Sequence, residues 1–253
     1  PLIDPHSHID PRRPTARSLD DILGYHYYTE LAHSAGMDLA PLADHVPPRQ
    51  RVQAILGCLD RIDNTAQYGW LLEICRTFLG FQGERLGAGD GPALCDAAQR
   101  IMNQPDWEAQ VLATTNVEKI FLTNDFDDPL DDFDTIRYVP CLRTDDLVFH
   151  LDKPAVRARL AKATIVEATD ADLMRQALGI LFQRFTQRGA KACAISLPPH
   201  FAPGPVFPED LSTALGDLHK GEDDAGAKAT VAHGVFWMLA ELCREFKLPF
   251  DLM

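Results

Sequence analysis

Five short apolar runs, separated by stretches of helical character, leave this chain few choices but a sheet covered by helices. The runs are residues 1–9 (PLIDPHSHI), 119–123 (KIFLT), 138–142 (YVPCL), 192–197 (ACAISL) and 248–253 (LPFDLM). Each is of strand length and mostly apolar, and the first reads as a mostly buried strand. Short apolar strands alternating with helices predict a parallel α/β architecture, either a doubly wound sheet or a (β/α)₈ barrel.

The intervals supply the helices. After a polar, proline-bracketed loop at residues 10–17, Ser18 is placed to cap a helix whose first turn carries Asp20 and Asp21, the charge that a helix N-terminus prefers. Between Gln50 and Leu79 apolar residues recur at helical spacing: Val52, Ile55, Leu56, Leu59 and Ile62, then Trp70, Leu71, Ile74 and Phe78. Residues 92–113 continue in the same manner with a break near Pro105. Residues 19–115 therefore form a helical insertion between the first two strands, long for a strand-to-strand connection. Further helices are predicted over 154–163, 170–188 and 224–246, the second opened by Thr169 with Asp172 as a capping signature. The loop after ACAISL carries five prolines between 198 and 208.

Charge and cysteine usage exclude some functions. A formal net charge of −13 argues against a nucleic-acid or anionic-membrane partner, and it obliges any anionic substrate to find a local basic pocket. Six cysteines without a Cys-x-x-Cys pair suit reduced, buried thiols in a cytoplasmic protein. No run approaches membrane-spanning length, and no signal peptide is visible. No P-loop, GxGxxG, GxSxG or HExxH occurs, which removes phosphate-cradling and serine-nucleophile readings.

The residue types that remain can carry chemistry at five places. His6 and His8 end the first strand and share a face with Asp4, the usual beginning of a divalent-metal site. The alternative is an exposed histidine pair at a frayed terminus. His26 beside Tyr27 offers a proton carrier and a substrate anchor, or else joins Tyr25 and Tyr28 in a packed aromatic cluster. The acidic run from Asp125 to Asp134 is no EF-hand, because Leu130 stands where that loop needs glycine and Ile136 where it needs glutamate. Thr123, Asn124 and Asp125 lie nearest any site, where a strand ends. Arg143 follows YVPCL, placed either to grip a carboxylate or to pair with Asp145 or Asp146. His200, in the proline-rich loop, is a further ligand, a substrate contact or neither.

Several of these segments together resemble one family. Ile3-Asp4-x-His6-x-His8-Ile9-Asp10 resembles the opening of the amidohydrolase superfamily. Leu23-Gly24-Tyr25-His26-Tyr27 with Ala35-Gly36-Met37 resembles the "DHYKWRAMRANG" region of uronate isomerases. Leu122-Thr123-Asn124-Asp125 with Asp128-Pro129-Leu130-Asp131-Asp132 resembles their "TTDDPxDDL" segment, and Val139-Pro140-Cys141-Leu142-Arg143 their "xPTFRPD" strand. The departures are the two extra residues Phe126 and Asp127, Asn124 for the second threonine, and Tyr25 for the aspartate before the histidine.

The resemblance implies a single (β/α)₈ TIM-type barrel domain over 1–253 with a helical insertion at about 19–115. It implies that this chain holds only about the first five strands, with the third metal ligand, an aspartate, on a later one. The implied activity is aldose–ketose isomerisation of a hexuronate, D-glucuronate or D-galacturonate. One divalent metal ion, zinc or manganese, would be held by His6 and His8. Tyr27 and His26 would be catalytic; Arg143, Asp125 and His200 would bind substrate. A cytoplasmic homo-oligomer is expected. A hydrolase or decarboxylase of the same superfamily, or a non-catalytic remnant of the fold, are the other outcomes such a chain allows.

Overall fold

The five apolar runs become seven short strands, because the run over 138–142 is interrupted at Pro140 and a further strand, Asn124–Asp125, follows the 119–123 run. A computed structural model describes residues 1–222 and 224–253. Its strands are β1 (Leu2–Ser7), β2 (Val117–Leu122), β3 (Asn124–Asp125), β4 (Tyr138–Val139), β5 (Cys141–Arg143), β6 (Ala192–Ile195) and β7 (Phe250–Leu252). Two ladders result, ordered β1-β2-β4 and β3-β5-β6-β7, and every pairing in them is parallel. The single strand expected over 138–142 splits at Pro140, which has no N–H to give to a ladder. Since β3 continues β2 and β5 continues β4, the runs neighbour one another in chain order. A doubly wound sheet reverses its strand order at a switch point; no reversal occurs among the described strands.

The first strand differs from expectation in length and burial. It closes at Ser7, so His8 lies just beyond it, and Leu2 and Ile3 are about 60% exposed instead of buried (60% and 59%). The reason is its place: β1 is an edge, paired with β2 alone. Its register also slips. Asp4 pairs with Ile120 and Ser7 with Leu122, so β1 uses one residue more than β2 over that stretch, at Pro5 and His6. Such a bulge at a proline re-aims the side chains that follow it.

Residues Arg13–Thr115 form one compact unit, and Pro1–Arg12 with Asn116–Met253 form another. The first consists of α1 (Leu19–Leu23), α2 (His26–Ser34), α3 (Pro48–Leu56), α4 (Ala66–Leu79), α5 (Gly91–Ile101) and α6 (Trp107–Thr115), joined by loops and short 3₁₀ turns. Ser18 caps α1 as expected, accepting from the Asp21 N–H while the Asp21 carboxylate accepts from the Ser18 N–H. The run from 50 to 79 is two helices, broken by the turn at Leu59–Arg61. Val52, Ile55, Leu56, Leu71, Cys75, Leu94 and Ala98 meet in its own apolar core.

In the second unit the strands are covered by α7 (Asp145–Phe149), α8 (Pro154–Thr164), α9 (Ala171–Gln187), α10 (Pro208–Lys220) and α11 (Ala225–Phe246). Helix α9 buries Met174, Ala177, Leu178, Leu181, Phe182 and Phe185, the three- and four-residue spacing that lays one stripe against a sheet. Its cap is Asp170, whose carboxylate accepts from the Leu173 N–H, and not Thr169. Helix α10 begins at Pro208, the last proline of the loop expected over 198–208, and fills a stretch for which no element is predicted. It packs so closely on α11 that a Cβ at Gly234 would come within 2.8 Å of the Leu211 side chain. Strand β6 is inaccessible from Cys193 to Ile195, as befits a parallel strand with neighbours on both sides. All six cysteines are free, and Cys95 alone of them is half-buried instead of buried. Among the described residues no helix is long and apolar enough to cross a membrane.

Candidate functional site

The strand ends bring two groups of residues into play within the second unit. The first is the imidazole pair. His6 Nε2 and His8 Nε2 lie 3.1 Å apart, with ring centroids 4.8 Å apart and planes at 79°. Two nitrogens at about 2.0–2.1 Å from one tetrahedral zinc stand about 3.3 Å apart, so this spacing fits a shared ion. The Asp4 carboxylate accepts from the His6 N–H at 3.2 Å. Among the described residues no group of three or more His, Cys, Asp or Glu could hold a metal ion. The pair fits part of a metal shell and leaves the remainder to other donors. Thr123, at the break between β2 and β3, reaches Ser7 and His8: its hydroxyl donates to Ser7 O at 3.1 Å, and His8 Nδ1 stands 2.9 Å from the same oxygen.

The second group lines a cavity of about 350 Å³ that includes Asp125, Arg143, Asp145, Asp146, His150 and Ser196. Asp125, Arg143 and Ser196 lie at or just past the C-terminal ends of β3, β5 and β6, where ligands bind in parallel α/β folds, while Asp145 and Asp146 open α7 and His150 closes it. Arg143 Nε donates to Asp145 Oδ2 at 3.1 Å, and Asp145 Oδ1 accepts from the Ser196 N–H at 3.2 Å. The expected alternative pairing with Asp145 is therefore present, and it engages Nε; among the described residues neither terminal nitrogen of the fork has a hydrogen-bond partner. The hydrogen bond to Asp145 holds the Arg143 guanidinium above its ordinary pKa against the cost of burial. His200 is exposed in the loop after β6 and does not line this cavity, nor do His6 and His8.

The acidic run is neutralised from a distance. Arg159 donates to Asp127 Oδ2 at 2.8 Å and Oδ1 at 2.5 Å, to Asp146 at 2.8 Å and to Asp125 at 3.4 Å. Its guanidinium also stands over the Phe126 ring, 4.7 Å from the centroid. Arg12 donates to Asp128 at 2.9 Å and to Asp131 at 3.2 Å. Buried Asn124 ties the loop to the sheet, giving its amide N–H to Asp128 and accepting from the Cys141 N–H. Arg12, Arg159 and the role of Asn124 were missed from sequence; the only hint was an acidic loop in need of cations.

These contacts set the acid stability of the loop. The hydrogen bonds from Arg159 hold the Asp127 carboxyl below the usual range. Burial pushes Asp128 up, but hydrogen bonds from Arg12, the Leu130 N–H and Asn124 outweigh it and leave it lowered as well. Both groups bind a proton less readily folded than unfolded. Their contribution is complete above the unfolded carboxylate pKa of about 4 and is lost as pH falls through the lower folded values. Acid titration followed by circular dichroism is expected to show Arg159→Met unfolding at a higher pH than the wild type. An unchanged midpoint would remove the ion cluster from the acid response. Thiolate chemistry is disfavoured here, since burial pushes Cys141 up to about 12 and Cys193 well above its ordinary value.

His26 and Tyr27 belong to the helical unit. They open α2, with rings 4.3 Å apart, and Tyr25 stands 4.3 Å from His26 and 5.1 Å from Tyr27. Tyr28 alone of the cluster is core, whereas Tyr25 and Tyr27 are 43% and 50% exposed. The rings of Tyr25, His26 and Tyr27 pack on one another, and all three residues are exposed.

No family model matches the chain. Its sequence is 30% identical over 142 residues to a uronate isomerase of Corynebacterium efficiens and 32% identical over 147 residues to one of Corynebacterium glutamicum. Each match takes in 52% of this chain, and 30% and 28% of those proteins. Its fold superposes over the full chain on the uronate isomerase of Thermotoga maritima (TM-score 0.86, 16% identity) and the glucuronate isomerase of Caulobacter crescentus (TM-score 0.87, 17% identity). The chain is similar to uronate isomerases in sequence and in fold. It covers 59% and 57% of the two solved uronate isomerase chains, so it spans well under two thirds of their length. The likeness is what the His-x-His, His-Tyr and Asp-Pro segments led one to expect.

Proposed function

We propose that the chain acts in the metal-assisted interconversion of a hexuronate and its ketose, D-glucuronate with D-fructuronate or D-galacturonate with D-tagaturonate. The observation that carries the reading is the convergence of His6 and His8 at the end of β1, in a chain similar to uronate isomerases. A (β/α)₈ barrel framework accords with it, because the strands are all parallel and neighbour one another in chain order.

In this reaction a proton leaves C2 and one is returned to C1 through a cis-enediol, while O1 gains a proton and O2 loses one. A zinc or manganese ion held through His6 and His8 would polarise the substrate oxygens. Arg143 would take the uronate carboxylate on its two terminal nitrogens while Asp145 holds the guanidinium from the Nε side. Asp125, facing the same cavity, would accept from sugar hydroxyls. His200 would contact substrate from the loop after β6. His26 and Tyr27 receive their roles from the motif resemblance: His26 hydrogen-bonding substrate, Tyr27 assisting proton movement at its oxygens.

The test is direct. The protein is incubated with D-glucuronate or D-galacturonate in the presence of zinc or manganese, and ketose is measured. Ketose formation is the expected result. No ketose from either uronate with either metal, while the same protein hydrolyses an amide or lactone offered in a parallel assay, would overturn the proposal.

A further inference from the structure

The contact between Thr123 and the histidine pair carries an inference about which nitrogen of His8 holds the proton. A threonine hydroxyl has one hydrogen to donate and two lone pairs with which to accept. Thr123 Oγ1 lies 3.1 Å from Ser7 O, a carbonyl that can only accept. The one hydroxyl proton is committed there. The contact of 2.9 Å between Thr123 Oγ1 and His8 Nδ1 must then run the other way, with Nδ1–H donating to the hydroxyl. A neutral imidazole protonated at Nδ1 carries its lone pair at Nε2. That atom faces His6 Nε2 at 3.1 Å.

We infer that Thr123 is a positioning residue: it anchors to the β1 backbone and locks His8 in the Nδ1–H tautomer, so that Nε2 is presented as a ligand. The inference rests on the metal-pair reading for its purpose, and on the hydrogen-bond chain Ser7 O, Thr123 Oγ1, His8 Nδ1 for its content. The chain of donors has a corollary for the metal-free protein. With His8 Nε2 an acceptor, the hydrogen between the two imidazoles sits on His6 Nε2 and points at His8. Within the pair His8 is thus preset for a ligand, and His6 must move its hydrogen to Nδ1 before Nε2 can bind one. Thr123 reaches this position from the adjacent strand, since it falls at the break between β2 and β3, next to Leu122, which pairs with Ser7. Ligand histidines are commonly fixed in this way by a partner on the other ring nitrogen, and losing such a partner costs about ten- to a hundredfold in metal affinity.

Two variants and two readouts test it, both starting from metal-free protein. Long-range ¹H–¹⁵N correlation spectra of ¹⁵N-histidine-labelled wild type are expected to show His8 as the Nδ1–H tautomer. Thr123→Val, nearly isosteric but unable to accept, is expected to lose that preference, and Thr123→Ser to keep it. Calorimetric titration with zinc alone is expected to show about a ten- to a hundredfold weaker Kd for Thr123→Val and a near wild-type Kd for Thr123→Ser. Wild-type His8 found protonated at Nε2, or a Thr123→Val protein with the wild-type tautomer and zinc affinity, would overturn the inference. The spectra separate its failure from that of the isomerase reading: a protein that makes no ketose can still show the locked tautomer, and one that makes ketose can lack it.

Discussion

Replacing His6 by alanine is expected to abolish divalent-metal binding and to lower ketose formation by two orders of magnitude or more. The size follows from what the pair supplies. A Lewis acid contributes several kcal/mol of charge stabilisation at the substrate oxygens, and each 1.36 kcal/mol is a factor of ten in rate. Among the described residues no third metal-binding side chain stands beside the pair to take over the lost position. His8→Ala is expected to act alike, since the two Nε2 atoms converge on one point. The fold should tolerate both changes, because His6 is half-buried and His8 exposed at an edge strand, away from the apolar core. The measurements are metal content after zinc or manganese loading, ketose yield, and thermal melting as a control. Wild-type metal content in His6→Ala, at unchanged melting temperature, would remove the pair as the metal site.

The sheet was legible in the sequence because its evidence is local. Short apolar runs in parallel sheets need no alternation to be recognised, and their order in the chain became their order in the sheet. What defeated local reading is equally physical. Pro140 sits inside an apolar run that reads as one strand, although a residue without an N–H cannot continue a ladder. Pro208 was counted with the loop, yet proline is favoured at the first turn of a helix, and Leu211, Ala214, Leu215 and Leu218 after it carry the helical spacing. Thr169 and Asp170 are neighbouring capping residues, and only geometry shows which carboxyl or hydroxyl meets the Leu173 N–H.

The candidate site divides along the same line. His6 and His8 are two residues apart, and their convergence follows from a strand end. The cations of the acidic loop are invisible to such reasoning: Arg12 lies 116 residues from Asp128, and Arg159 lies 32 residues from Asp127. Thr123 shows the intermediate case. Its place at a strand end marked it as near a site, but the role inferred for it depends on where the single proton of its hydroxyl goes, to Ser7 O.

Adjacent positions on β5 separate what holds the sheet from what lines the cavity. Leu142 is inaccessible, packs in the core between sheet and helices, and pairs in register with Asn124 and Cys193. Leu142→Ala is expected to cost about 2–5 kcal/mol, the range for deleting a buried leucine in a core that cannot fully collapse. Arg143, one residue on, is about a third exposed and lines the cavity, its terminal nitrogens without a hydrogen-bond partner among the described residues. Arg143→Met keeps the aliphatic stem and removes one partly exposed ion pair, so its stability cost is expected to be about 1 kcal/mol or less. Its effect on catalysis should be far larger. A charged hydrogen-bonding partner to a carboxylate is worth about 1.5–3 kcal/mol, which is about ten- to a hundredfold in kcat/KM for the uronate. Urea unfolding and steady-state kinetics on the two variants read these effects separately. The expected pattern is a large loss of stability at Leu142 and a large loss of kcat/KM at Arg143 with melting little changed. Wild-type kcat/KM in Arg143→Met would detach this arginine from the substrate carboxylate and return it to the role of a partner for Asp145.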